Sequence, residues 1–257
     1  MNGAILFLSI AYWGSMGIDA RSMALMNGTS PVVSGAPSVF VNPAGLPFSS
    51  RLTASFSYAV PYELNDLRYG EAAAAVRLKN FAIGAGYSGK RLEKFYSESN
   101  LILAAAVRGT LFDGMQAGIG LNLRNFRVSA SEGEAFRRSN WAVDFGSELR
   151  FRDLRLAYTF HNMTYTRNDM DYVRTAGIAV TRNGITAGFT YQWHRFYETY
   201  SLFAEVVVLK VLALRVGYGE GNMGIGAGII ARDYYIDFGM NEFEAGTGYS
   251  FTFGITR

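Results

Sequence analysis

From Arg51 to the C-terminus the chain consists of segments of about ten residues in which every second residue is apolar. The clearest segment is "WAVDFGSELRF" (141–151). Its apolar residues fall on one face of an extended strand and its polar or small residues on the other. About fourteen segments of this kind follow one another, beginning near residues 52, 68, 81, 100, 115, 140, 154, 174, 185, 199, 211, 223, 234 and 248.

The connections between these segments alternate in length. Tight connections fall at residues 79–80, 112–114, 152–153, 182–184, 210 and 232–233. Most of the others are longer and more charged, notably 88–98, 129–138 and 162–173, whereas 62–67, 194–198 and 219–222 are only slightly longer than the turns. In an antiparallel sheet this places the tight turns at one end. That asymmetry is typical of transmembrane barrels with short periplasmic turns and longer outer loops.

Composition distinguishes a transmembrane barrel from the other possible folds. The mean hydropathy of +0.08 is too low for a bundle of membrane helices. After the N-terminal run, no segment has the roughly 18 apolar residues of a spanning helix. A soluble sandwich or lipocalin-like barrel is the alternative, but the polar faces are rich in Gly, Ala, Ser and Thr, which suit the crowded interior of a closed barrel. The sequence therefore predicts an all-β protein, a transmembrane antiparallel up-and-down β-barrel of about fourteen strands spanning residues 51–257, with a short N-terminal helical segment.

Two further regions precede the barrel. The apolar run "AILFLSIAYWGSMG" (4–17), followed by small residues, predicts a secretory signal peptide over residues 1–17, with cleavage after Gly17 or as late as Ala20. A buried N-terminal strand is the alternative interpretation. Residues 18–50 are predicted to form a plug at the barrel mouth or inside it, beginning with a helix that ends at Asn27–Gly28.

The stretch "VFVNPAGLPF" (39–48) ends this second region. Asn42 and Leu46 precede prolines, which favours an extended backbone, and Gly45 permits a sharp reversal. We therefore predict a rigid wedge that anchors the plug, formed by Asn42, Pro43, Ala44, Gly45, Leu46 and Pro47.

The stretch "DARSMALMNGTSPVVSGAPSVFVNPAGL" (19–46) resembles the N-terminal signature of two related kinds of outer-membrane barrel. One is the long-chain fatty-acid transporter (FadL-like) family, and the other comprises the PorV- and PorQ-like proteins associated with type IX secretion. Both carry an Asn-Pro-Ala element before a fourteen-stranded barrel, and here that element is Asn42, Pro43 and Ala44. The resemblance implies a location in the outer membrane of a Gram-negative-type bacterium.

The resemblance also implies two functions. The first is passive uptake or binding of small apolar solutes, gated by the N-terminal plug, with outer-membrane lipid around the barrel and a fatty-acid-like ligand. The second is a non-transporting accessory or scaffold of a type IX-like secretion assembly, whose partners are other envelope or secretion proteins.

Alternation also predicts which charges face the lumen. Ion pairs that stiffen the interior are the ordinary interpretation, and a selectivity filter or ligand site is the other. The closest cluster is expected at Arg124, Glu148 and Arg150. The full predicted set is Glu71, Arg77, Arg108, Arg124, Asp144, Glu148, Arg150, Arg155, Glu205, Arg215 and Asp237.

Other function classes lack support in the sequence. A net charge of +3 without a basic run gives no footprint for nucleic acid. The chain has no cysteine and two histidines, His161 and His194, which show no metal-site or catalytic-triad spacing. We therefore predict no enzyme activity, no catalytic residue, no metal site and no cofactor.

Overall fold

The computed structural model describes residues 18–63, 66–92, 96–130, 136–164, 172–243 and 246–257. The predicted signal peptide, residues 1–17, lies outside these ranges. The described chain forms two short α-helices, two short 3₁₀ helices and fourteen strands. The helices are α1 (Ala20–Ala24), α2 (Ser38–Val41) and the 3₁₀ helices Pro43–Phe48 and Pro61–Glu63. The strands are β1 (Leu52–Val60), β2 (Leu67–Leu78), β3 (Phe81–Leu92), β4 (Tyr96–Phe112), β5 (Met115–Ala130), β6 (Phe136–Phe151), β7 (Leu154–His161), β8 (Val173–Arg182), β9 (Ile185–Trp193), β10 (Glu198–Val208), β11 (Leu212–Gly219), β12 (Asn222–Ile230), β13 (Tyr234–Phe243) and β14 (Gly246–Thr256).

The fourteen strands close into a single antiparallel barrel, which confirms the predicted fold class. Each strand pairs with its neighbours in sequence, and β1 closes the sheet against β14 with Thr53 opposite Thr256. Because closure gives every strand two neighbours, no unpaired sheet edge runs along the barrel. The observed strand starts lie within two residues of the predicted ones, except those of β4 and β6, which begin earlier.

The two faces of the barrel are chemically opposite. Outward side chains of β5, for example, are Ile119, Leu121 and Leu123, each about half exposed. Inward positions carry small or polar residues such as Asn122, which is buried. A soluble barrel would have the reverse arrangement, so the apolar outer band rules out the lipocalin-like alternative and fits a lipid surface.

Among the described residues, no helix is long and apolar enough to span a membrane.

Residues 18–50, hereafter the N-terminal segment, lie inside the barrel and are largely buried. Helix α1 begins at Ala20, where the Asp19 side chain accepts a hydrogen bond from the Ser22 backbone N–H. It packs against β11 to β14. The 3₁₀ helix Pro43–Phe48 packs against β2 to β6 on another side of the lumen. The segment therefore crosses the interior from one part of the wall to another.

The wedge differs in detail from its prediction. Asn42 is extended as predicted (φ −152°, ψ 102°), but Leu46 and Gly45 lie within the 3₁₀ helix Pro43–Phe48. The predicted sharp reversal at Gly45 is therefore wrong. A short 3₁₀ helix accommodates proline because Pro43 occupies its first turn, where the backbone N–H needs no partner.

The predicted loops at 88–98 and 129–138 are mostly strand. β3 continues to Leu92 and β4 begins at Tyr96, while β5 reaches Ala130 and β6 begins at Phe136. The charges that suggested loops instead pair across strands, as in the contact of 3.0 Å between Lys90 Nζ and Glu98 Oε2. The difference between the two ends of the barrel is accordingly smaller than predicted, although His161 and Val173 remain the consecutive strand ends that lie farthest apart in sequence.

Candidate functional site: the lumen and its N-terminal segment

Glycines make room for the N-terminal segment along the inner wall. A methyl group at Gly217 would lie 2.6 Å from the Leu25 carbonyl carbon, and one at Gly226 would lie 2.6 Å from Ala24 Cβ. Both distances are too short for non-bonded atoms, so backbone approaches the wall where a side chain would otherwise stand. The wall glycines in such contact with the segment are Gly84, Gly86, Gly118, Gly120, Gly146, Gly177, Gly217, Gly224, Gly226 and Gly239.

The six predicted wedge residues belong to the part of the N-terminal segment that packs against the inner wall. The Asn42 side-chain oxygen accepts a hydrogen bond from Ala44 N (3.1 Å). The Asn42 amide Nδ2 donates to the Ser30 and Ser147 carbonyls at 3.3 and 3.4 Å. Asn42 therefore joins the segment to itself and to β6. The remaining members, Pro43, Ala44, Gly45, Leu46 and Pro47, are all buried.

An apolar stripe covers the inner wall over β2, β3 and β4. It is formed by the inward side chains Ala73, Ala75, Ala82, Ile102, Ala104 and Ala106. Val39, Phe40 and Leu46 of the N-terminal segment pack onto it. This part of the wall is therefore apolar and lined by small residues, and it carries the largest of the apolar clusters among the described residues.

A chain of ion pairs links α1 to the part of the wall beside it. Arg21 donates two hydrogen bonds to Glu205, with Nε 2.9 Å from Oε2 and Nη2 2.7 Å from Oε1. Arg215 donates to Glu205 Oε2 (2.6 Å) and to Asp237 Oδ1 (2.7 Å). Three of these four side chains were predicted to face the lumen; Arg21 joins them from α1. Two guanidiniums and two carboxylates balance their charge, and they bind the segment to β10, β11 and β13.

A second polar cluster holds α2. Arg124 Nη2 lies 2.6 Å from Asp144 Oδ2, and His161 Nδ1 lies 3.5 Å from the same oxygen. Asn122 donates to the Val39 carbonyl (2.9 Å). The other His161 nitrogen lies 3.1 Å from the Val41 carbonyl. The wall thus binds carbonyl groups at the end of α2, where a helix leaves them without internal partners.

The predicted cluster of Arg124, Glu148 and Arg150 is therefore split. Arg124 pairs with Asp144, and Arg150 Nε donates to Glu148 Oε1 (2.6 Å). Alternation gave the correct face for all three residues but not their height on the wall. Arg124 lies opposite Ala142, two pairs from Asp144, whereas Glu148 lies opposite Gly118.

Three of the predicted arginines, Arg77, Arg108 and Arg150, lie around Phe48 at the short-turn end. The Arg150 guanidinium carbon lies 3.9 Å from the centre of the Phe48 ring, and that of Arg108 lies 5.8 Å from it. Arg77 donates from Nε to the Ser49 carbonyl (2.7 Å). Within the described residues, neither Arg77, Arg108 nor Arg155 has a carboxylate within 4 Å. The short-turn end of the lumen is therefore basic around Phe48.

A cavity of about 440 Å³ lies between the N-terminal segment and the short-turn end. Its walls include the paired charges Arg21, Glu205, Arg215 and Asp237, and hydroxyl groups near the start of β1. The lumen therefore has polar, accessible space beneath a filled centre.

The two histidines give no sign of a catalytic arrangement. His194 lies between β9 and β10 and stacks on Tyr197, with ring centres 4.2 Å apart. Burial, with a smaller contribution from His161, lowers the pKa of His194 to about 4, so its imidazole is neutral at neutral pH. In the part of the chain that is described, no group of three potential ligands could hold a metal ion.

Sequence reasoning missed two kinds of site residue. Asn122 and Phe48 were not singled out, because an inward asparagine or an aromatic residue in a loop is common. The glycines count among the small inward residues that alternation predicts for the inner wall. Their common role, which is contact with the N-terminal segment, becomes visible only when the path of that segment across the lumen is known.

The architecture is shared with solved transport proteins. A Pseudomonas aeruginosa FadL homologue matches at a TM-score of 0.62 and 9% identity, covering 93% of this chain and 97% of its own. The Ralstonia pickettii toluene transporter TbuX matches at 0.60 and 12%, covering 95% and 98%. The Pseudomonas putida toluene transporter TodX matches at 0.63 and 10%, covering 93% and 96%.

At such identities these matches establish a common fold. No protein-family model matches the chain, and no curated protein matches it in sequence. The predicted outer-membrane location agrees with the closed barrel and its apolar outer band, and with the same architecture in an Acinetobacter baumannii outer membrane protein.

Proposed function

We propose that this protein is an outer-membrane barrel that takes up small apolar solutes passively, and that its N-terminal segment acts as the gate. The solutes are of the fatty-acid-like or aromatic hydrocarbon kind, because the fold is that of a FadL homologue and of two toluene transporters. The observation that carries the proposal is the apolar stripe of β2, β3 and β4 beneath the segment.

The stripe supplies a path with suitable chemistry. A purely structural contact between segment and wall needs only complementary shape. Elsewhere in the lumen the contact combines ion pairs and hydrogen bonds with smaller apolar clusters, such as Leu25 and Val32 against Phe203. Over β2 to β4 it is made almost wholly by alanine and aliphatic side chains. When Val39, Phe40 and Leu46 move away, the uncovered wall becomes an apolar surface to which a poorly water-soluble molecule binds favourably.

The same contact explains why a gate is needed. With the segment in place, the centre of the lumen is occupied and the cavity of about 440 Å³ lies below it. A solute that enters from the opposite end therefore meets the segment before it reaches the cavity. Displacing part of the segment joins the apolar stripe to the cavity and to the short-turn mouth.

A reversible disulfide between segment and wall tests the gate. The Val39 Cγ2 methyl lies 2.8 Å from the place where a Cβ at Gly84 would stand, so Val39→Cys with Gly84→Cys brings two thiols within bonding reach. The chain has no other cysteine. Uptake of labelled toluene and of a labelled fatty acid is measured in cells that lack their own transporter for each solute.

The oxidised double variant should take up solute more slowly than the same protein after reduction. Val39→Cys alone, treated identically, is the matched control and should not respond to the reductant. Equal uptake in the oxidised and reduced double variant would contradict gating by the segment. Uptake no faster than in barrel-free cells, even for the unmodified protein, would contradict transport itself.

The second candidate is a non-transporting accessory of a secretion assembly. It is favoured by the resemblance of residues 19–46 to PorV- and PorQ-like proteins and by a lumen whose centre is filled. It requires stable protein partners and no solute, a difference that mass measurement of the native complex resolves.

A further inference from the structure

A buried carboxylate on β2 faces the start of the N-terminal segment. Glu71 is 3% exposed, and its Oε2 accepts a hydrogen bond from the Ile18 backbone nitrogen at 3.3 Å. Ile18 itself is buried, and its carbonyl accepts a hydrogen bond of 2.6 Å from Ser250 Oγ. The first described residue of the segment is thus clamped between β2 and β14.

Glu71 differs from the other buried carboxylates of the lumen in having no cation. Asp144, Glu148, Glu205 and Asp237 each contact an arginine within 3 Å. Among the described residues, no lysine or arginine lies within 4 Å of Glu71. Burying a carboxylate that has only neutral hydrogen-bond donors costs free energy, because no opposite charge compensates it. The site around Glu71 therefore lacks one positive charge.

A second carboxylate beside it increases the deficit. Asp19 is buried and close enough for its charge to act on Glu71. Its own oxygens accept from Ser22 N (3.0 Å) and Ser22 Oγ (2.5 Å), both neutral groups. The nearest arginine in sequence, Arg21, is held at two points by Glu205. Two buried carboxylates therefore meet at Ile18 without a cation between them.

We propose that the Gly17–Ile18 peptide bond is a processing site and that the freed α-ammonium group of Ile18 is the missing cation. An envelope endopeptidase of the signal-peptidase class hydrolyses the bond: water contributes its hydroxyl to the Gly17 carbonyl carbon, and the Ile18 nitrogen leaves as an amine. With a pKa near ~8, an α-amino group is mostly protonated at neutral pH. The nitrogen that donates to Glu71 as an amide then donates to it as an ammonium, which converts a neutral hydrogen bond into a buried ion pair.

The sequence before the bond and the contacts after it agree on the position. Ser15 and Gly17 are the small residues that such peptidases require at three residues and one residue before the cut. Cleavage after Ala20, the alternative position, removes Ile18 and Asp19. Glu71 would then lose its Ile18 donor and α1 would lose its N-terminal cap.

The position of cleavage is tested on protein purified from the outer membranes of cells that express the full chain. N-terminal sequencing and intact mass should identify Ile18 as the first residue. A first residue at Arg21, or any start other than Ile18, overturns the proposal.

The ion pair is tested by shifting the charge by one residue. Chains that begin at Ile18, or with one alanine before Ile18, are released from a removable fusion tag and refolded into the same detergent micelles. The extra alanine moves the ammonium away from Glu71, and the Tm should fall by about 5 °C or more. Equal Tm values for the two lengths overturn the proposed pair.

Glu71→Gln completes the comparison. In this variant the ammonium has no carboxylate to meet, so the added alanine should change the Tm by less than half of its effect in the unmodified chain. Glu63→Gln, at an exposed residue, is the matched control and should leave the effect of the alanine unchanged. The same drop in Glu71→Gln as in the unmodified chain would mean that the alanine acts through crowding alone.

Discussion

At the scale of single residues, the fit between the N-terminal segment and the wall depends on the absence of side chains. Gly217 shows the reason most clearly, since its three nearest neighbours are backbone atoms of Ala24 and Leu25. Backbone cannot rotate away as the end of a side chain can. One added methyl group must therefore move the segment or strain the strand.

Gly217→Ala should lower the free energy of unfolding by about 1 to 3 kcal/mol, because the methyl group overlaps Leu25. Urea unfolding in lipid vesicles measures the change. The matched control is Gly109→Ala, since nothing lies within 4 Å of that position, and its effect should be smaller than about 0.5 kcal/mol. Equal effects of the two substitutions would contradict the described packing of the segment.

The buried pair of Arg124 and Asp144 gives a second prediction at this scale. Asp144→Asn leaves the Arg124 guanidinium without its carboxylate in a buried site, so the free energy of unfolding should fall by about 3 kcal/mol. The exposed pair of Arg182 and Asp153, at 4.0 Å, is the comparison, and Asp153→Asn should change stability by less than about 1 kcal/mol. A loss for Asp144→Asn as small as for Asp153→Asn would show that the pair does not stabilise the wall.

The pairing of Arg124 also shows where prediction from sequence ends. Alternation assigns each residue to a face because neighbouring side chains point in opposite directions. It does not fix how far two strands are offset, so it cannot say which inward charges meet. The offset between β5 and β6 places Asn122 opposite Asp144, and Arg124 reaches the same carboxylate from the next inward position.

At the scale of elements, β4 to β6 are longer than the other strands and extend farther at the outer end. β4 has 17 residues and β5 and β6 have 16 each, whereas a tilted membrane strand needs about 9 to 11. Near the outer ends of β3, β5 and β6 the outward residues become polar and exposed, as at Arg91, Arg127 and Ser139. These ends therefore form a raised section of wall beyond the hydrocarbon region.

The raised section was predicted as loops because its residues are charged. Charge and glycine usually mark the end of a strand, and residues 88–98 and 129–138 contain both. The sequence pattern cannot distinguish a solvated loop from a solvated hairpin whose charges pair across strands. The contact of Lys90 with Glu98 is of the second kind.

Hydrogen exchange tests the raised section directly. The backbone amides of residues 97–100 and 126–129 pair in the ladder of β4 and β5 and should exchange at least about a hundredfold more slowly than those of the turn at Asp113–Gly114. Mass spectrometry of peptides from the protein in micelles measures the rates. Exchange as fast as in the turn would restore the loop interpretation.

At the scale of the whole molecule, the barrel was predictable and its contents were not. Strand number and closure follow from a two-residue period repeated fourteen times with turns between. The location of the apolar stripe on β2 to β4 depends on which inward residues lie at equal height under the segment, which requires three-dimensional register. The two-residue period predicts the barrel wall, whereas the arrangement of residues inside the lumen depends on contacts between residues far apart in sequence.

Removing the N-terminal segment should open the lumen. Deletion of residues 21–48 eliminates most of α1 and all of α2 and of the 3₁₀ helix Pro43–Phe48, which together fill the centre of the lumen. Ion conductance across a planar bilayer should therefore rise severalfold. Pro43→Ala, which loosens only the wedge, should raise it less. No rise on deletion would contradict the interpretation of residues 18–50 as a plug.

Native mass spectrometry of the protein extracted gently from its own outer membrane tests the central claim most directly. If the barrel takes up apolar solutes, it should carry one small apolar molecule, whose mass identifies the solute class, and no stable protein partner. A barrel free of such a molecule and bound to other envelope proteins would contradict uptake and identify a component of a secretion or scaffold assembly.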